Sequence, residues 1–213
     1  MMPRALAELS AAELATFRRR LDTPSKVQQY LDGIAYNLEA GGDTFRSPRR
    51  VLRDRTANCI EGAVLAAAAL RVQGDPPLIM DLTAVRDEDH VIAVFRRRGL
   101  WGTIGTSKFT GLRYREPVYR TLRELAISFF EHYYNLAGER TLRGHGRPVN
   151  LARFDGLHWM TSDDDLWPIA EHLERIPHVP LLPPDVVGHL TRLDRRLKAA
   201  GLLEHPTAGP PSD

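Results

Sequence analysis

The chain has 213 residues, 43% of them hydrophobic and 26% charged, with 29 lysines and arginines against 27 acids for a formal charge of +2. That length and composition suit one globular domain with a sizeable core, and basic residues scattered among acids without a recognition motif speak against nucleic acid as a partner. No run is apolar and long enough to predict a membrane span. A single cysteine, with an N-terminal stretch MMPRALAELSAAELATFRRR that lacks an apolar signal core, predicts a reducing, cytoplasmic setting.

In chain order, Ser10 and Glu13 frame a capping box before the helix LATFRRRL. Thr23-Pro24 places an N-cap and a first-turn proline before SKVQQYLDGIAYNL, and Ser47-Pro48 repeats that pattern before RRVLRDR. Asn58 and Glu61 form an Asn variant of the capping box, which puts Cys59 at the first position of the next helix. From Ile60 to Val72 only Glu61 and Arg71 are charged, so this helix is buried on most sides, with Gly74 stopping it. PLIMDLTAV, HVIAVF and LWGTI then predict an antiparallel meander. Its first link is the DED turn. Its second is either a four-residue RRRG loop, which sets His90 opposite Gly105, or a two-residue Arg98-Gly99 turn, which sets His90 opposite Ser107.

Further on, VYRTLRELAISFFEHYYNL has apolar residues at helical spacing and is expected to pack on the sheet, its aromatic run Phe129 to Tyr134 serving as core. RGHGR reads as a short basic turn. Asp163 to Asp165 are expected to cap LWPIAEHLERI, and Pro184-Asp185 to open one helix, VVGHLTRLDRRLKAA, ending at Gly201. Residues 206–213 read as a disordered tail to a single domain over 1–205.

The cysteine is the main chemical candidate. At the head of a helix it faces free backbone N–H groups and the positive end of the helix dipole, which favour the thiolate. The alternative is a small side chain in an alanine-rich core helix. A nucleophile needs a base, and His90 opens a strand that is apolar on both faces, so its imidazole must find a partner at the sheet edge. The other histidines form no HExxH and one cysteine cannot build a zinc cluster, while no glycine pattern suits a nucleotide, so neither metal nor cofactor is expected. Arg113 and Arg115 are read as surface ion-pairing residues that have the chemistry to bind an anionic group.

Taken together, VLRDRTANCIEGAVLAAAALRVQGDPPLI and DHVIAVFRRRGLWGTIGTS resemble the transglutaminase-like branch of the papain-like superfamily: a loop, a Cys-headed helix, a strand, a His-headed strand and a Gly-Trp hairpin. The resemblance covers roughly residues 49–110 and implies an α+β fold, with the Cys-bearing helix packed on an antiparallel sheet and extra helices at both ends. It implies acyl transfer from an amide or peptide bond through a thioester, with Cys59 as nucleophile and His90 as base. In that family an Asp orients the histidine from the next strand. Here Gly105 falls at that position, and Ser107 is the expected orienter in its place, with Asp81 a looser alternative. The Cys59 backbone N–H is the expected first oxyanion donor, and Gln28, Gln29 and Asn37 are candidates for the second. The missing Asp also supports another expectation, an inactive member of the fold serving as a binding or scaffolding module. Substrate identity and oligomeric state are left open.

Overall fold

The computed structural model describes residues 4–203 and 205; the expected tail lies outside them. The fold is α+β. Three short helices lead in, α1 (Arg4–Ala7), α2 (Ala11–Arg19) and α3 (Pro24–Asp32). Ser10 caps α2 with Glu13 completing the box, and Thr23 caps α3 with Pro24 in its first turn. The helix expected to run on to Leu38 ends instead at Asp32. Gly33 takes the C-cap, and β1 (Ala35–Tyr36) pairs in parallel with β2 (Thr56–Ala57). Between those strands lies α4 (Pro48–Asp54), capped by Ser47.

Helix α5 (Cys59–Val72) starts where the sequence places it, with both halves of the Asn58–Glu61 capping box formed and Cys59 at its first position. Its start is fixed by a buried ion pair. The Glu61 carboxylate, fully buried, accepts from Arg46 Nε at 2.9 Å, Arg46 Nη2 at 2.9 Å, the Arg46 and Asn58 backbone N–H groups at 3.0 Å each, and the Thr44 hydroxyl at 2.9 Å. Burial alone would raise the carboxyl pKa, but the Arg46 bonds and these donors together hold it below its ordinary value.

β3 (Leu78–Ala84), β4 (His90–Arg97) and β5 (Leu100–Ile104) form the expected antiparallel meander. Arg97 pairs with Leu100 across a two-residue turn, and Arg98 and Gly99 both have positive φ, 52° and 84°, as a type I′ turn requires. The shorter of the two expected turns is therefore the real one. Pairing stops at Ala93 with Ile104, so the ladder does not reach Ser107. Instead the Gln28 side chain brackets the next residue, donating to the Gly105 carbonyl at 2.9 Å and accepting from its N–H at 3.1 Å, as a neighbouring strand would.

β6 (Arg115–Tyr119) takes up the start of the segment expected to be one long helix. That segment's helical part is only α6 (Leu122–Ile127), capped by Thr121, and a 3₁₀ turn at Phe130–His132. RGHGR is no turn. Leu142–Gly146 is β7, inside the sheet between β3 and β9 (His178–Pro180), with β8 (Val149–Asn150) also pairing β3. Gly144 and Gly146 belong there because a Cβ would meet the Thr83 hydroxyl at the first and the Ile176 methyl at the second.

Helix α7 (Trp167–Arg175) has no side-chain cap. Asp165 Oδ1 accepts from Arg50 at 2.6 Å and from the Phe45 N–H at 3.2 Å, tying the segment to α4 rather than capping. β9 (His178–Pro180) closes the sheet, in the order β6-β5-β4-β3-β7-β9. The expected last helix is broken in two. α8 (Pro184–Val187) stops at Gly188, the Leu193 N–H bonds the Gly138 carbonyl, and Asp194 caps α9 (Arg195–Gly201).

The sheet is buried on both faces. α5 with Phe17, Leu31, Val51 and Trp159 covers Ile79, Val91, Ala93 and Phe95, while Leu125, Phe129, Tyr133 and Leu181 cover Met80, Leu82, Ile92 and Val94. Each large side chain removed from water in this way contributes about 1.5–3 kcal/mol.

Two predictions follow from the ion pairs. Glu61→Gln leaves the buried Arg46 with only the longer Asp54 pair at 3.4 Å, and urea unfolding is expected to show a loss of about 3 kcal/mol. Glu13, held at about 2 chiefly by its bond to Arg49, has a folded pKa below its unfolded one. Its contribution is therefore complete above the ordinary carboxyl range and is lost as pH falls toward 2. A pH series of melting temperatures on Glu13→Gln is expected to be flatter over that window than on the parent chain.

Candidate functional site

The local folding that delivers the cysteine is the capping box. With Asn58 and Glu61 bonded reciprocally at 3.0 Å each, the chain enters α5 at a fixed angle and Cys59 stands at the end of the sheet, beside the first residues of β4. The backbone N–H groups of Val91 and Ile60 point at its sulfur and stabilise the thiolate, but burial outweighs them. With the Glu88 and Asp81 carboxylates adding repulsion, the thiol is pushed up to about 11.

His90 begins β4, paired with Leu82. Side chains alternate along the strand, so His90 shares a face with Ile92 and Val94, away from α5, and its ring meets Phe129 and Tyr133 edge-on at centroid distances of 6.4 Å each. The ring is buried, and Nε2 lies 2.8 Å from the Leu112 carbonyl. A carbonyl only accepts, so Nε2 carries the proton and Nδ1 keeps a lone pair. Burial first, and then the Arg115 charge, lower the imidazole to about 4 against the opposing Leu112 bond. At neutral pH both groups are uncharged.

The two side chains line one small cavity, about 30 Å³, whose walls include Tyr36, Glu88, Ser107 and Tyr133. Among the described residues no hydrogen bond joins the Cys59 thiol to His90. Ser107 is present but does not orient the imidazole: its hydroxyl accepts from the Phe109 N–H at 3.1 Å, because the chain has left the ladder by this point. Asp81 does not orient it either, since it faces α5 and Oδ2 accepts from His178 Nε2 at 2.9 Å. The orienting acceptor is the main-chain oxygen of Leu112, which a search for side chains cannot find. Gly105 lies beside this bond, where a Cβ would crowd Ile92 at 3.1 Å and touch His90 Nε2 and the Leu112 oxygen at ordinary contact distance, 3.5 Å each.

The sequence matches no family model and no curated protein.

Tyr36 is the functional candidate that sequence reasoning missed. The β1–β2 pairing aligns Tyr36 with Ala57, two residues before the cysteine, and its hydroxyl meets the Cys59 backbone N–H. Burial raises its phenol far above the ordinary value, so it is an un-ionised donor and acceptor beside the thiol. Gln28 and Asn37, considered as oxyanion donors, are committed elsewhere, the first to Gly105 and Asp32, the second to Thr44 and Glu61. Gln29 is exposed. A wider cleft of about 240 Å³, walled by Leu31, Ile34, Leu38 and Arg113, adjoins the cysteine cavity and shares Tyr36, Ser107 and Lys108 with it. Lys108 bonds Glu88 at 3.2 Å along that shared wall. Among the described residues no three His, Cys, Asp or Glu side chains converge as a metal-binding group, and no helix is long and apolar enough to cross a membrane.

A neutral dyad predicts slow thiol chemistry. With the Cys59 thiol at about 11, iodoacetamide alkylation at pH 8 is expected to run roughly a hundredfold slower than for a free thiol of ordinary pKa. His90→Ala is expected to leave the pH midpoint in place, because an uncharged imidazole contributes little to it. Intact mass reads a single adduct, Cys59 being the only cysteine.

Proposed function

We propose that the chain is a transglutaminase-like cysteine hydrolase or acyltransferase acting on an amide or peptide carbonyl, in the reducing environment of the cytoplasm. One observation carries the reading: Cys59 and His90 line the same cavity, and the bond from His90 Nε2–H to the Leu112 carbonyl leaves Nδ1 as a base. A helix headed by cysteine, packed on an antiparallel sheet in which a strand is headed by histidine, supports the same reading.

In this mechanism substrate enters through the wider cleft and excludes water. The Cys59 proton passes to His90 Nδ1 as sulfur attacks the carbonyl carbon. The developing oxyanion displaces the Tyr36 hydroxyl from the Cys59 backbone N–H and takes hydrogen bonds from both, and imidazolium returns its proton to the leaving amine. Water or a second amine then attacks the thioester, again giving a proton to His90, and regenerates the thiol. Because the resting pair is neutral, the proton moves as the bond to carbon forms rather than in advance.

A second reading, an inactive form of the fold used as a binding module, is favoured by the small cavity and by the absence of a thiol–imidazole bond among the described residues.

Incubation with a p-nitrophenyl acyl ester and with a glutamine-containing peptide plus a primary amine, read by intact mass, separates the two. The catalytic reading expects an acyl adduct on Cys59 that hydroxylamine removes, abolished in Cys59→Ser and slowed about 10²–10⁴-fold in His90→Ala. Tyr36→Phe is expected to lower the acylation rate without moving the alkylation midpoint. An intact wild-type chain that forms no adduct with either donor, from neutral pH to pH 10, supports the module.

A further inference from the structure

Arginine outnumbers acid in one cavity that shares no lining residue with the cysteine cavity. It holds about 170 Å³ where the β3–β4 turn, the start of β7 and residues 187–192 meet, and it is walled by Arg86, Arg140, Arg143 and Arg192 with Glu139 as the only carboxylate. Arg86 Nε pairs with Glu139 at 3.0 Å, and Arg140 Nη2 reaches Glu131 outside the cavity at 3.0 Å. Two acids against four guanidiniums leave an excess of two positive charges.

The other two guanidiniums meet main chain. Arg143 Nη1 donates to the Arg140 and Leu142 carbonyls at 2.9 and 2.8 Å, and Arg192 Nη1 to the Ala137 carbonyl at 2.9 Å; among the described residues neither makes a carboxylate ion pair, and the Glu139 charge that acts on both is already paired with Arg86. Arg140 Nη1 is buried without a hydrogen-bond acceptor. Burial first, and then the Arg86 charge, lower the Arg143 guanidinium from its ordinary value against the opposing pull of Glu139. Like charges drawn together and a buried donor left unsatisfied both cost stability unless an anion joins them.

We propose that this cavity binds a small phosphate-bearing anion. A phosphoryl dianion matches the excess charge, and guanidinium forks match its oxygens. A half-open pocket of this size, walled by four arginines, suits a compact group better than it suits a polymer backbone, which needs an extended groove. Because residues 187–192 form one wall, the ligand would also clamp the C-terminal segment onto the sheet.

The test is calorimetric titration of the full chain with inorganic phosphate and with pyrophosphate, succinate and a single-stranded oligonucleotide serving as comparators. One saturable site for phosphate or pyrophosphate is expected, with a raised melting temperature, and Arg192→Gln is expected to weaken it about tenfold, the loss of one charge-assisted contact. Arg143→Gln should weaken it at least as much. Because Arg143 also braces the main chain, the exposed Arg192 variant keeps the test valid if Arg143→Gln fails to fold. Arg153→Gln, on another face beside His172, should change nothing. Absence of saturable phosphate binding, equal affinity for succinate, binding confined to the oligonucleotide, or affinity unchanged in Arg192→Gln would each overturn the proposal.

Discussion

The interaction on which the rest depends is the buried bond between Arg46 and Glu61. An unpaired carboxylate at the centre of a protein is prohibitively costly, so Glu61 must be met by its partners or the helix cannot be buried. Meeting them draws in the strap that carries Thr44 and Arg46, closes the cap at Asn58, and thereby sets the entry angle of α5. The cysteine inherits its position from this arrangement. One ion pair thus acts at three levels: it terminates a loop, starts a helix and locates a thiol.

The sheet imposes the second constraint. α5 lies on one face and the His90 ring on the other, so the two groups come to one cavity at the end of the strands. His90 is buried there and Cys59 partly so, and desolvation penalises charge on either group. What results is an uncharged thiol and an uncharged imidazole lining one cavity, with Tyr36 shared between that cavity and the wider cleft.

What was legible in the sequence was local. Caps at Ser10, Thr23, Ser47 and Asn58 are decided within three residues, and each formed as read. The meander follows from three apolar runs separated by turn residues, while the choice between the RRRG loop and the Arg98-Gly99 turn stayed open until the positive φ angles of Arg98 and Gly99 decided it. What was not legible depends on partners distant in the chain. Tyr36 looked helical because apolar spacing continues past Gly33; only its pairing beside Ala57 shows otherwise. Asp165 reads as a cap until Arg50 and the Phe45 N–H claim it. The glycines of β7 resemble turn signals, yet they serve close approach to Thr83 and Ile176. Ser107 failed as an orienter because Gln28 takes the place of a strand at Gly105 and releases the chain from its ladder.

The Leu112 carbonyl carries a consequence of a different kind. An orienting aspartate can be deleted by one codon change, whereas a main-chain oxygen is present whatever residue occupies the position. The alignment of His90 is therefore encoded in the path of the loop from Gly105 to Arg115 and not in the identity of any one of its side chains. Substitutions at Leu112 that keep that path are silent for the imidazole, while an insertion or deletion anywhere in the loop would turn the ring without touching it.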